Sequence, residues 1–288
     1  LWCWIDIGHG GDPFSALFIM NVAMYVMGAF VVVLECSRIE RLGRVKGTLS
    51  LPHSVNRLRG QRKAEVHAML VASFAAPMFA TNCWVIASQA GSECVVIDPG
   101  MPDVSAQLSE ILLEFRLKPV AVIATHGHLD HTFSITPIAD GYSIPAYIHS
   151  ADRLALSHPE RVLSPEFAAT LEGMEFIEPK DVRELRNGEL LELVGLNFKA
   201  IHAPGHTAGS LMFEVSDELL ISGDVLFAGS IGRTDQPTGS SKDMEQTLRK
   251  KILPLGDHLR VLPGHGPETT IARERKNNPF LKELKGRY

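Results

Sequence analysis

Thr125-His126-Gly127-His128-Leu129-Asp130-His131 decides how this chain is read. Four side chains able to hold a metal fall within six residues, directly after the apolar run Pro119-Val120-Ala121-Val122-Ile123-Ala124. That run reads as a buried strand. A single imidazole is ordinarily a satisfied surface or core group. Three imidazoles and a carboxylate crowded at a strand end are costly unless a cation gathers them, and this donor set suits zinc, iron or manganese.

The remaining pieces lie downstream, each at the end of another apolar run. Leu196 to Ile201 leads into His202-Ala203-Pro204-Gly205-His206-Thr207. Leu219 to Ser222 leads into Gly223-Asp224, and Arg260 to Pro263 leads into Gly264-His265-Gly266. A strand followed by Gly or Pro and then a ligand places that ligand on a loop at the sheet rim, where rigid strands fix its position. The five histidines and two aspartates suffice for two metals with three terminal ligands each and one shared carboxylate, with positions left for water.

The order T-H-x-H-x-D-H, P-G-H-T, S-G-D, P-G-H-G resembles the ligand order of the metallo-β-lactamase superfamily. Within it, the order is most similar to the glyoxalase II (hydroxyacylglutathione hydrolase) branch, over residues 69–288. The resemblance implies an α/β fold of four layers, an αββα sandwich, with a dinuclear site at one edge. It implies two divalent metal ions, zinc first, with iron or manganese as alternatives. One metal takes His126, His128 and His206; the other takes Asp130, His131 and His265; Asp224 bridges them. Asp130 and Asp224 are then both ligands and catalytic groups. Asp98 falls where family members keep a carboxylate that orients a ligand or a water, with turn capping as the alternative.

Two departures narrow the expectation. The best-known β-lactamases carry Cys where Asp224 stands, so β-lactam hydrolysis is not expected. Glyoxalase II proper has a helical C-terminal domain that helps bind glutathione, whereas 23 residues follow His265 here. The segment Gly229-Ser230-Ile231-Gly232-Arg233-Thr234-Asp235 resembles a loop of short bacterial glyoxalase II-like proteins and of persulfide dioxygenases. Arg233 is placed near the substrate on that ground, with an ion pair to Asp235 as the alternative.

Hydrophobic residues make up 45% of the chain, ample for a core. Net charge is uneven: residues 1–34 carry −2, residues 35–68 carry +5, and −8 remains beyond. An acidic catalytic region argues against a nucleic-acid substrate. Cys3, Cys36, Cys83 and Cys94 form no C-x-x-C pair and read as free thiols in a reducing compartment.

The first 68 residues differ from the rest and are expected to lie outside the fold. Phe14 to Leu34 is 21 residues without a charge, long enough to cross a bilayer, and basic residues follow it. It reads as a membrane anchor, as an upstream extension from a misplaced start or a fragment's leading end, or as a buried or disordered arm. Gly43 to Glu65 reads as a linker. The catalytic domain is expected in the cytoplasm, with membrane association only through residues 14–34 and no protein partner inferred.

Within residues 69–288, Phe79–Ser88 and Glu93–Ile97 read as a hairpin, and Val104–Phe115 as an amphipathic helix. Ala146–His149 reads as a short strand, and Ser150–His158 as a helical turn. Pro159–Leu185, without clear period, reads as a surface excursion over the site. Ser241–Leu253 reads as a helix capped by Ser240 or Ser241 and ended by Pro254. His149, His158, His202 and His258 are assigned no metal. The chemistry expected is metal-assisted hydrolysis of a small thioester, since a thiolate, of conjugate-acid pKa about 8.5, leaves without a strong general acid. The alternatives are a persulfide dioxygenase with one non-haem iron, a lactonase, and a non-catalytic metal-binding protein.

Overall fold

The protein is described from a computed structural model, which describes residues 69–285. All of these belong to the second of two units, which begins at Lys63. The apolar stretch 14–34, the basic linker, Cys3 and Cys36 lie outside the described residues. Cys83 and Cys94 are buried free thiols. No helix among the described residues is long and apolar enough to cross a membrane.

Two six-stranded sheets carry the fold. The first runs, in spatial order, β1 (Leu70–Ala75), β2 (Asn82–Ala87), β3 (Glu93–Ile97), β4 (Lys118–Ile123), β5 (Ala146–His149) and β6 (Val182–Leu185). Its first three strands are antiparallel and the rest parallel. The second contains β7 (Leu190–Leu193), β8 (Leu196–His202), β9 (Leu211–Val215), β10 (Leu219–Gly223), β13 (Arg260–Pro263) and β14 (Thr269–Thr270), in the order β14-β13-β10-β9-β8-β7. A small ribbon, β11 (Leu226–Phe227) and β12 (Ser230–Ile231), follows β10.

The period of two in these strands separates their side chains into distinct cores. In β2, Cys83, Val85 and Ala87 face one way, into a cluster with α1 (Ser105–Phe115) and residues of Ile135–Tyr142. Trp84 and Ile86 face the other way, with Val95, Ile97, Ala121 and Ile123, and meet Phe198, Phe213, Val215 and Ile221 of the second sheet. The alternate residues of that sheet, Met212, Leu220 and Val261, form a third cluster with Met244, Leu248, Ile271 and Leu281 on its covering helices. Helix, sheet, sheet, helix is therefore the layer order, an αββα sandwich. Phe198 and Phe213 are fully buried at its centre, where each such side chain contributes roughly 1.5–3 kcal/mol.

The hairpin and first helix form where expected, with small differences. β2 starts at Asn82, because Phe79 and Ala80 adopt left-handed φ of 60° and 53° that no strand accepts. α1 buries Leu108 and Leu112. Two further helices follow β4: the short α2 (Leu129–Thr132) and α3 (Ile135–Tyr142). The excursion 159–185 is more ordered than its sequence suggests. It contains α4 (Pro165–Ala169) and ends in edge strand β6, of which only Leu185 is buried. α5 (Ser241–Thr247) is capped by Ser240 Oγ, which accepts the Asp243 N–H at 3.2 Å, and passes into a π turn before Pro254. α6 (Ile271–Asn277) and α7 (Pro279–Lys285) complete the outer layer.

The fold brings one end of both sheets together. β10 and β13 are parallel neighbours, so the loops after them emerge side by side, and Gly264 N–H donates to Gly223 O at 2.9 Å. Leu211 N–H donates to Thr125 O at 2.7 Å, and Asn82 N–H to Gly264 O at 2.7 Å, stitching the rims of the two sheets.

Candidate metal centre

Seven side chains converge at that rim. His126 follows β4, His128 caps α2, and Asp130 and His131 lie on α2. His206 stands on the β8–β9 loop, Asp224 immediately after β10, and His265 one residue beyond β13, after Gly264. His126 Nε2 lies 3.1 Å from His128 Nδ1, and His128 Nδ1 lies 2.8 Å from His206 Nε2. On the other side, His131 Nε2 is 3.2 Å from His265 Nε2, and Asp130 Oδ2 is 3.5 Å from His131 Nε2 and 3.3 Å from His265 Nε2. Donors at 2.0–2.1 Å from a tetrahedral zinc stand about 3.4 Å apart, so both triads have the dimensions of a metal's coordination shell. Each triad could hold an ion.

Asp224 lies between them. Its Oδ2 is 3.5 Å from His206 Nε2 and 3.5 Å from His265 Nε2, while Oδ1 is 3.5 Å from His131 Nε2. Oδ1 is buried and has no hydrogen-bond partner. A buried carboxylate oxygen left unpartnered is costly, and a bridging position between two cations removes that cost. Gly264 makes the approach feasible: a Cβ there would overlap Asp224 Oδ1 and come within 2.7 Å of His131 Cε1.

The outward nitrogen of each imidazole is already committed, and this fixes which atom faces the centre. His128 Nε2–H donates to Val162 O at 3.0 Å, His206 Nδ1–H to Arg233 O at 2.8 Å, and His265 Nδ1–H to Phe79 O at 3.1 Å. His131 Nδ1–H donates to Asp98 Oδ2 at 2.9 Å. Thr125 Oγ1 gives its proton to Asp98 Oδ2 at 2.6 Å and so accepts from His126 Nδ1–H at 3.1 Å. Asp98 thus holds the His131 ring directly and the His126 ring through Thr125, and Thr125 N–H completes its set at 2.7 Å.

Electrostatics divides the two halves of the site. Burial, reinforced by neighbouring imidazoles, holds His126 well below the ordinary histidine value. Burial also lowers His128 to about 4 and His206 to about 3. The first triad therefore offers neutral lone pairs at pH 7. Burial opposes charge on His131 too, but Asp130, Asp224 and Asp98 outweigh it and raise that ring to about 10. His265 is raised on the same balance, burial being outweighed by its bond to Asp130 and by Asp224. Asp130, despite burial, is held below the usual carboxylate range by His131 and His265, whereas burial pushes Asp224 up to about 6.

Other residues are placed less simply. The Arg233 guanidinium grips Asp235 through two bonds of 2.7 and 2.8 Å, both side chains mostly exposed; its carbonyl is what touches the metal centre. His202 stacks on His149 at 4.1 Å and donates to Ala208 O at 2.8 Å. His158 pairs with Glu160 and His258 bonds Asp217 O. Among the described residues none of these four joins the cluster. Sequence reasoning passed over Thr81, whose Oγ1 donates to Asp130 Oδ2 at 3.1 Å, and Asp152, buried beside the first triad. It also passed over the carbonyls of Phe79 and Val162. A carbonyl has no residue-type signature, and an Asp in a turn reads as a cap.

Residues 76–265 match the profile of the metallo-beta-lactamase superfamily. The chain belongs to the metallo-β-lactamase superfamily. This superfamily member is 42% identical over 223 residues to an uncharacterised Mycobacterium tuberculosis protein, covering 75% of this chain and 99% of the relative. It is 34% identical over 209 residues to the hydroxyacylglutathione hydrolase GloC of Haemophilus influenzae, covering 70% and 93%. Among solved structures, the BLEG-1 B3 metallo-beta-lactamase superposes with a TM-score of 0.64 at 33% identity, covering 74% of this chain and 99% of that one. The His/Asp cluster fits the dinuclear metal site typical of the superfamily, and the chain is a metallo-hydrolase by family.

Proposed function

We propose that this metallo-hydrolase cleaves a small thioester, in the manner of a hydroxyacylglutathione hydrolase. The observation that carries the reading is the full set of seven donors, arranged as two triads with one carboxylate between them. His126, His128 and His206 would hold one metal, and Asp130, His131 and His265 the other, with Asp224 shared. When bound, such a pair supplies Lewis acidity, bringing the pKa of water toward neutrality and polarising a carbonyl.

The chain's own residues supply placement. Thr81 holds the Asp130 carboxylate, which remains partly exposed and can accept a hydrogen bond from an entering water. Phe227 lies 6.1 Å from the His265 ring, and exposed Phe79 packs edge-on against Phe167 at 5.9 Å. These apolar walls beside His265 suit an acyl group. A thiolate of pKa about 8.5 departs without a strong acid, so the site needs no further proton donor. The likeness to GloC supports the same substrate class.

The test is a panel: the zinc-reconstituted chain against S-lactoylglutathione and other thioesters, a lactone, a β-lactam, and glutathione persulfide in air. Free thiol released from a thioester at the highest kcat/KM supports the proposal. Oxygen uptake matched to persulfide loss, or preferential β-lactam or lactone opening, would replace it.

A further inference from the structure

Asp152 is 1% exposed, stands just beyond β5 and belongs to neither triad. Its carboxylate is nonetheless fully engaged by the two loops that carry the first triad. Oδ2 accepts the Gly127 N–H, between His126 and His128, at 2.8 Å. The same oxygen accepts the Thr207 hydroxyl, next to His206, at 2.6 Å. Oδ1 accepts the Gly209 N–H at 2.8 Å. Both glycines are shaped around it. A Cβ at Gly127 would lie 3.1 Å from Asp152 Cβ, and one at Gly209 would lie 2.7 Å from it.

We propose that Asp152 is the positioning residue of the first metal triad, joining the His126–His128 loop of one sheet to the His206 loop of the other. His126 and His128 come from the first sheet, and His206 from the second. Their ring nitrogens meet within 3.1 and 2.8 Å, a spacing that an error of about 1 Å between the loops would ruin. Asp152 is bonded to both loops through donors one to three residues from the histidines. Asp98 serves His131 and the start of the same loop but makes no bond to the His206 loop. Asp98 thus backs His131 and, through Thr125, His126, whereas Asp152 bonds both loops of the first triad. The inference rests on metal occupancy of the centre and not on the choice of a thioester as substrate.

All three bonds to Asp152 have it as acceptor, so Asp152→Asn keeps the volume but turns an NH2 group toward an N–H or O–H donor. The experiment is stepwise zinc titration of the chelator-stripped full chain by calorimetry, with thermal unfolding of the metal-free forms alongside. The wild-type chain should take up two equivalents; fewer would overturn the dinuclear reading and this inference with it. Asp152→Asn should weaken one equivalent about 10- to 100-fold and leave the other unchanged. Combined with His128→Ala, which already breaks the first triad, it should change the remaining affinity less than about twofold, as expected for two residues acting on one site. Equal losses in both backgrounds, or no loss in either, would overturn it. Thr207→Val covers the case in which Asp152→Asn does not fold. It retains both backbone amides and should weaken the same equivalent about fivefold, the effect of one hydrogen bond; unchanged zinc affinity there would count against the inference.

Discussion

Asp224 Oδ1 faces His131 Nε2 at 3.5 Å, buried and without a hydrogen-bond partner. Its other oxygen is 3.5 Å from His206 on one side and from His265 on the other. Asp224→Asn should therefore weaken both zinc equivalents, whereas loss of a single imidazole should weaken chiefly one. Zinc content after dialysis against a weak chelator distinguishes the two patterns. An Asp224→Asn protein retaining one full-strength equivalent would show that Asp224 belongs to one triad only.

His128 and His202 separate ligand from bystander. His128→Ala removes a first-triad donor and should lose metal together with most hydrolysis, at least about 100-fold in kcat/KM. His202→Ala breaks only a stack on His149 and a bond to Ala208 O, and should keep wild-type metal content. Similar metal loss in the two variants would contradict this division of the histidines.

Gly264→Ala tests the crowding behind the shared carboxylate. A methyl there overlaps Asp224 Oδ1 and presses on His131. Overpacking of this kind costs roughly 1–3 kcal/mol. The variant should have a lower urea midpoint and reduced zinc affinity. Wild-type values for both would mean the β13 loop yields freely.

Much of this site was legible because metal ligation demands particular residue types at fixed places. His126 to His131, Asp224 and His265 each follow a strand whose apolar run is plain in the sequence. The layers were legible through alternation, since β2 buries Cys83, Val85 and Ala87 on one face and Trp84 and Ile86 on the other. α4 and β6 were not, because an edge strand that buries only Leu185 carries no hydrophobic period. Arg233 drew notice for its guanidinium, yet its carbonyl is what holds His206.

The pH dependence of the metal-free chain follows from opposed shifts. His128 and His206, at about 4 and about 3, stay neutral while an unfolded chain takes up protons below its ordinary 6.5. Stability is therefore lost as pH falls from 6.5 toward those values. Asp224, raised from 3.8 to about 6, binds its proton earlier in the fold and offsets part of that loss. His131, raised to about 10, contributes stability that is full below 6.5 and lost as pH rises through 10. Urea midpoints of the chelator-treated chain at about pH 4.5, 6.5 and 9.5 should peak at the middle value. A steady rise or fall across the three would contradict these assignments.

Hydrolysis of a thioester at a two-metal site is tested most directly by activity against metal equivalents. The chelator-stripped chain should release no thiol from S-lactoylglutathione above background. Adding zinc, or iron or manganese in its place, should restore hydrolysis up to a plateau at about two equivalents per chain. Thiol release that persists in the stripped protein, or a plateau at one equivalent of iron accompanied by persulfide-dependent oxygen uptake, would contradict it.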